Sequence, residues 1–211
     1  MPDASHGPTH AHAEAPGDPH GRVGPNAITR VGEALDALYG RATTYAVFAD
    51  AGLTQYLDAW PQAMVDEGEV AGLNRALHAH LPEASFRRVA ADAGRRTGDY
   101  LLAHRIPRPV QALLRPAPAW LAARVLLKAI GRNAWTFAGS GTFDAAAGRP
   151  CIVTIADCPL CREIEADHGV CDTYTGTFER LFRELVHPQA EARETACQAA
   201  GAPACRFEIR W

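Results

Sequence analysis

The chain has 211 residues, of which 47% are hydrophobic, so it is long enough to bury one substantial core. Its net charge of −3 and pI near 6.3 argue against a nucleic-acid partner, which would require clustered Lys and Arg. The sequence shows neither the apolar run of a signal peptide nor the roughly 18 consecutive apolar residues of a membrane span. We therefore expect a cytoplasmic protein with reduced thiols, in which cysteines serve metal binding or packing.

The first 22 residues are rich in Pro, Gly, Ala and His, and they contain almost no side chain that could join a core. We expect a disordered tail over residues 1–22. Its histidines are His6, His10, His12 and His20. His-rich tracts can collect metal, but no thiol is present here to fix a geometry, so solvated imidazoles are the expectation.

A helical half is predicted over residues 23–132. Apolar residues recur there at three- and four-residue steps, in stretches that Gly or Pro ends. The predicted helices and turns cover residues 26–40, 43–51, 53–60, 69–81 and 83–104.

One further helix is predicted over residues 117–130, and it is apolar almost all round. Only Arg124 and Lys128 interrupt it, one turn apart on the same face. Such a helix is typical of a core or a subunit interface. A wall of a ligand cavity and a membrane-surface contact are the alternatives.

The hydrophobic period changes from helical to two residues at Trp135, which predicts a half-buried strand over residues 135–143. A turn near Gly148 and a second strand over residues 151–155 would complete a hairpin. Farther along, a helix is predicted to begin near Gly169. After Pro188 two more strands follow.

The last predicted strand has the clearest alternation in the chain. Cys205, Phe207 and Ile209 share one face, and Arg206 and Glu208 lie on the other. The Cys205 side chain is therefore expected to point into the core.

Four residues of the C-terminal region have the types and spacing of zinc ligands: Cys171, Glu194, Cys197 and Cys205. Four protein ligands would make a closed structural site rather than an open catalytic one. Cys171 lies near a helix N-terminus, where the dipole favours thiolate. Glu194 and Cys197 have opposite strand parity, so the strand must end or bulge near Ala196 for both to reach one ion. The alternative is that these cysteines are ordinary buried apolar residues.

A C-x-x-C motif, Cys158-Pro159-Leu160-Cys161, precedes this set. Such a motif forms half of many zinc sites and the centre of thioredoxin-type redox sites. No βαβ crossover is visible around it, which argues against the redox role, and the downstream residues already supply four ligands. A second metal, an exchange of ligands and unmetallated buried thiols all stay open.

The chain resembles a known family at these motifs. The residues that carry the resemblance are Cys158-Pro-Leu-Cys161, Gly169-Val-Cys171, Gly176 and the run from Glu194 to Phe207. Over residues 135–211 they resemble the 4-vinyl reductase domain family. The helical half, with Gly24-Pro-Asn-Ala-Ile-Thr29 and the run from Tyr100 to Pro107, looks like the bacteriochlorophyll-biosynthesis member of that family.

The resemblance implies an α+β fold, in which a helical N-terminal half packs on an antiparallel sheet with a structural zinc site. This fold is related to the ligand domains of trafficking complexes and phenol sensors, and it is often dimeric. Zinc is implied on Cys171, Glu194, Cys197 and Cys205, with Cys158 and Cys161 outside that site. We expect a tail (1–22), a helical half (23–132) and a 4-vinyl reductase domain (133–211), the last two forming one compact unit.

In function, the resemblance implies reduction of the 8-vinyl group of a divinyl chlorophyllide-type tetrapyrrole. Reduction needs an electron donor, yet the chain has no G-x-G-x-x-G after a strand and no iron–sulfur cysteine run, and Zn²⁺ has no redox chemistry. We therefore favour binding and delivery of a magnesium tetrapyrrole to bacteriochlorophyll-pathway enzymes. The protein would be a homodimer, cytoplasmic and at most peripheral to the photosynthetic membrane.

Two other functions are kept as alternatives. One is the 4-vinyl reductase itself with an external electron donor, so whether the protein is an enzyme stays undecided. The other is a small-molecule sensor, against which the lack of an output domain weighs.

A magnesium pigment would need an apolar wall and one axial ligand. Residues 117–130 and the strand from Trp135 are candidates for the wall, and His104 is the candidate imidazole. A capping histidine at a helix C-terminus is the favoured explanation of His104.

Overall fold

The computed structural model describes residues 21–211, so the predicted tail falls almost entirely outside the described residues. The helical half contains six helices and a two-stranded antiparallel ribbon of β1 (Arg22–Val23) and β2 (Val65–Asp66). The helices are α1 (Asn26–Asp50), α2 (Gln55–Asp58), α3 (Glu67–His80), α4 (Glu83–His104), α5 (Arg108–Leu114) and α6 (Ala119–Arg132).

Glycine and proline divide these helices where the sequence predicts. Gly40 interrupts α1 with φ of 80° and ψ of 168°, a conformation open to glycine, so the two predicted helices form one kinked element. Pro82 stands at the N-cap of α4, and Pro107 at that of α5.

The predicted strand from Trp135 is wrong in its first half. Residues Trp135–Ala138 form a short helix, α7, and the strand β3 covers Thr142–Ala146. The Thr136 hydroxyl donates to the Asn133 carbonyl at 2.7 Å, so a local side-chain bond favours a helical turn over an extended chain. Gly139, with φ of 57°, then ends the turn.

The C-terminal half is a four-stranded antiparallel sheet in the order β3-β4-β6-β5. Its other elements are β4 (Cys151–Ala156), α8 (Asp172–Leu185), β5 (Glu191–Ala196) and β6 (Cys205–Arg210). Cys205, Phe207 and Ile209 are buried on one face of β6, as the alternation predicts. The α+β fold is therefore confirmed, and one hydrophobic cluster contains residues of both halves.

Helix α8 packs against α4 through glycines, which lets the two backbones approach closely. A Cβ atom added to Gly94 would lie 2.2 Å from the Thr173 carbonyl oxygen, and one added to Gly176 would lie 2.5 Å from the Ala91 carbonyl oxygen. This contact fixes the start of α8, where Cys171 stands, against the helical half.

Helix α6 buries only one face, which corrects the expectation of a helix buried on most of its surface. Its buried residues are Ala122, Ala123, Leu126 and Leu127. Trp120 is 54% exposed, Leu121 40% and Val125 43%. Among residues 21–211, no helix combines the length and apolar character that a membrane crossing requires.

Candidate metal centre

Five of the six cysteines meet at one buried place below the end of the sheet. Cys205 begins β6, Cys197 follows β5, and Cys171 is the N-cap of α8. The loop after β4 contributes Cys158 and Cys161. All five are at most 2% exposed.

The sulfurs lie as close together as the ligands of one metal ion would. The Cys171 sulfur is 3.7 Å from that of Cys205 and 4.0 Å from that of Cys197, and the Cys205 and Cys197 sulfurs are 3.8 Å apart. A tetrahedral ion with Zn–S bonds of about 2.3 Å places its sulfurs about 3.8 Å apart. The geometry of these three thiols fits zinc.

Glu194 completes this group. One ligand atom each from Cys171, Glu194, Cys197 and Cys205 lies within 4.8 Å of all the others. The register of β5 on β6 shifts between Glu194 and Ala196, so the predicted bulge is confirmed and lets both Glu194 and Cys197 face the cluster. The Glu194 Oε2 atom accepts from the Cys171 backbone N–H at 2.9 Å, whereas the buried Oε1 atom has no partner among the described residues.

The protonation of these protein groups also fits a site for a cation. Burial raises the pKa of the Glu194 carboxyl to about 9, and neighbouring Cys197 adds to the effect. The pKa of the Cys171 thiol is also raised, by its contact with Cys158 first and by burial last. A divalent ion would favour the ionised form of both groups and satisfy the Oε1 atom.

Cys158 and Cys161 lie against the same thiols. The Cys158 sulfur is 3.6 Å from that of Cys171, and the Cys161 sulfur is 3.4 Å from that of Cys205. With Cys171 and Cys205 they form a second group whose ligand atoms all lie within 4.8 Å of one another. The sequence left the role of this C-x-x-C motif open, and the structure brings it to the cluster.

The loop that carries the motif is held on two sides. The Cys158 backbone N–H donates to Gln198 Oε1 at 2.8 Å, beside the turn that follows Cys197. On the other side, Arg162 donates to the buried Glu67 carboxylate at 2.6 Å, and Ser140 donates to that carboxylate through its N–H and its hydroxyl. Sequence reasoning missed Glu67, because nothing in its local pattern separates it from an exposed helix residue.

The other candidates from the sequence lie elsewhere. His104 is exposed at the end of α4, with its ring centroid 4.9 Å from that of Tyr100. Cys151 is buried outside both groups, and its thiol donates to the Gly148 carbonyl at 3.5 Å.

Comparison with known proteins agrees with the resemblance. Residues 151–211 match the family model of the 4-vinyl reductase domain. The chain is 44% identical to the bacteriochlorophyll synthase 23 kDa chain of Cereibacter sphaeroides, over 89% of this chain and 90% of that protein. It is 37% identical to the protein of the same name from Rhodobacter capsulatus, over 93% and 91%.

Among solved structures, the fold is similar to that of H-NOX proteins. One from K. algicida matches with a TM-score of 0.58 at 10% identity, over 89% of this chain and 96% of that one. Another, from S. oneidensis, matches with a TM-score of 0.52 at 9% identity, over 89% and 98%. At such low identity the similarity concerns the fold alone.

Proposed function

The chain belongs to the 4-vinyl reductase domain family of the bacteriochlorophyll synthase 23 kDa chains, and from this we propose that it binds a chlorophyllide-type tetrapyrrole and delivers it at the divinyl-to-monovinyl step. The observation that carries the proposal is the 44% identity to one such chain along nearly the whole length of both proteins. A role in bacteriochlorophyll biosynthesis is common ground for this proposal and for its runner-up, the reductase itself.

We also propose that Cys171, Glu194, Cys197 and Cys205 hold a structural zinc ion. Their mutual distances and the unpartnered Glu194 oxygen support this assignment. An ion with four protein ligands has no open position for a substrate, and zinc supplies no electrons. Both properties favour a carrier over a self-sufficient reductase.

Divinyl protochlorophyllide separates carrier from enzyme. Purified protein is mixed with this pigment, with and without NADPH or a reduced flavin. A carrier shifts the absorbance of the pigment and returns it unchanged by chromatography. Conversion to the monovinyl pigment would favour the reductase, and neither binding nor conversion would contradict both functions.

His104 tests how a magnesium pigment is held. If its imidazole is the axial ligand, His104→Ala should weaken binding of the magnesium pigment at least tenfold and move its Soret band. Binding of the metal-free pigment should be unchanged in the same variant, because that pigment has no axial ligand. Equal weakening for both pigments would contradict axial ligation.

The exposed side of α6 supports a location at the membrane surface. Trp120, Leu121 and Val125 are exposed there and alternate with the cations Arg124 and Lys128. The chain has no Asp or Glu from residue 100 to residue 143, although its net charge is −3. An exposed tryptophan among aliphatic and basic side chains is typical of a helix that lies on an anionic bilayer.

Vesicle sedimentation tests this location. The protein should sediment with vesicles that contain anionic phosphatidylglycerol and less with purely zwitterionic ones. Arg124→Glu/Lys128→Glu should lower the bound fraction several-fold, whereas Arg88→Glu/Arg149→Glu, with the same change in charge at exposed sites away from α6, should bind like the wild type. Equal loss in both variants would contradict the assignment. The homodimer stays a prediction, which light scattering can check.

A further inference from the structure

The metal centre contains more ligands than one ion can use. Five thiols and one carboxylate form two groups of four, and the groups share Cys171 and Cys205. The first group adds Glu194 and Cys197 to the shared pair. The second adds Cys158 and Cys161. Two groups with a common edge of two sulfurs describe two tetrahedra joined along that edge.

A single ion in either group leaves buried donors without a partner. An ion in the second group would leave the Glu194 Oε1 atom unsatisfied and Cys197 unused. An ion in the first group would leave the Cys158 and Cys161 sulfurs 3.6 and 3.4 Å from sulfurs already bound to metal. Buried polar groups without partners are costly, so neither arrangement satisfies the cluster.

Charge leads to the same conclusion. Five thiolates and a carboxylate carry six negative charges in a buried place, where one divalent ion would offset only two. Two ions offset four, and each bridging thiolate is then shared between two cations. The Gln198 backbone N–H, which donates to the Cys205 sulfur at 3.4 Å, stabilises the remaining charge.

The C-x-x-C loop is built to hold its thiols at the cluster. The Ala166 N–H donates to the Ala199 carbonyl at 2.9 Å, and Gln198 accepts from the Cys158 N–H, so the loop is fastened to the turn between β5 and β6. A surface cleft of about 640 Å³ lies between the loop and that turn and reaches Cys158 and Cys161. The cleft gives a metal ion a route to the second group.

We propose that the cluster is a binuclear centre in which Cys171 and Cys205 bridge two zinc-class divalent ions. The first ion is bound by Glu194, Cys197 and the bridging thiolates. The second is bound by Cys158, Cys161 and the same two thiolates. This inference rests on the structural zinc proposed above and adds a second ion to it.

Zinc content of the purified full-length chain is the first test. The wild type should hold two zinc ions per chain, and Cys158→Ser/Cys161→Ser should hold one. Cys151→Ser, which changes a buried thiol outside both groups, should keep two. Because the N-terminal histidines are the same in every variant, any zinc on them cancels in the comparison.

Cadmium-113 NMR of the cadmium-substituted protein is the second test, and it needs no variant. A bridged centre should give two resonances, with the four-sulfur site downfield of the site that includes Glu194, and each split by coupling to the other cadmium. One resonance and one zinc per chain would overturn the second ion and leave the single structural ion. Two unsplit resonances would overturn the bridge, and no bound metal would overturn both proposals.

Discussion

Glu67 is the residue at which the two halves of the molecule are joined. Its side chain is 3% exposed, and it accepts hydrogen bonds from Ser140 and Arg162, which belong to the C-terminal half. Arg162 directly follows Cys161. The same carboxylate therefore positions the C-x-x-C loop against α3, and a buried charge is stabilised by several donors.

Glu67→Gln keeps the shape of the side chain and removes its charge. We expect the free energy of unfolding to fall by about 2 kcal/mol, because the Arg162 and Ser140 bonds are charge-assisted in the wild type. Urea unfolding measures the change. Glu33→Gln, which removes the partly exposed pair with Arg30, is the control and should cost less than about 1 kcal/mol. Equal costs would show that the Glu67 contact contributes no more than a surface pair.

The same carboxylate predicts a dependence on pH. Burial by itself would raise the pKa of Glu67, but the bonds from Ser140 and Arg162 outweigh it and hold the pKa below 4.5. A group with a lowered pKa in the folded state stabilises the protein above its unfolded pKa, and this stability is lost as the pH falls. The difference in unfolding free energy between wild type and Glu67→Gln should therefore shrink below pH 4.5. A difference that is constant from pH 7 to pH 3 would contradict this.

At the scale of elements, the crossing of α4 and α8 determines where Cys171 stands. Gly94 and Gly176 lie where a side chain would meet the backbone of the other helix. Backbone atoms cannot move aside as a flexible side chain can, so the crossing depends on the absence of Cβ atoms at these positions.

Gly176→Ala should destabilise the protein by about 1–3 kcal/mol, because overpacking separates the helices. Gly72→Ala is the matched control: Gly72 also lies inside a helix, but nothing stands within 4 Å of an added Cβ. That change should stabilise by up to about 1 kcal/mol through helix propensity. Thermal melts of both variants measure the contrast, and two variants that shift in the same direction would contradict the packing argument.

The elements also show which parts of the fold can be read from sequence. Period and proline predicted α4 and β6 well, since each has one buried face. The strand at Trp135 was wrong because an alternation of nine residues also fits a turn of helix followed by a glycine-rich bend. The Cys171, Glu194, Cys197 and Cys205 spacing is local enough to predict a site. Cys158 could not be placed, because its approach depends on the pairing of Ile155 with Cys205 across strands far apart in sequence.

At the scale of the whole molecule, the metal centre connects elements that otherwise have little to hold them. It joins the N-cap of α8, the end of β5, the start of β6 and the loop after β4. Because α8 packs on α4, an ion at this place also stabilises the junction with the helical half. Structural zinc sites contribute their binding energy to folding, with apparent values of about 10–16 kcal/mol in small domains.

Cys197→Ser should therefore lose zinc and destabilise the C-terminal half. The variant keeps the size of the side chain but leaves the first ion with two thiolates and a carboxylate, so affinity falls and the strands β5 and β6 lose their closure. Metal analysis and hydrogen exchange measure the two effects: we expect less zinc per chain, with faster exchange in β4, β5 and β6 than in α1. A chelator should produce the same pattern in the wild type, and Cys151→Ser should not. Wild-type zinc content in Cys197→Ser, or unchanged exchange after the metal is removed, would mean that packing alone holds this half together.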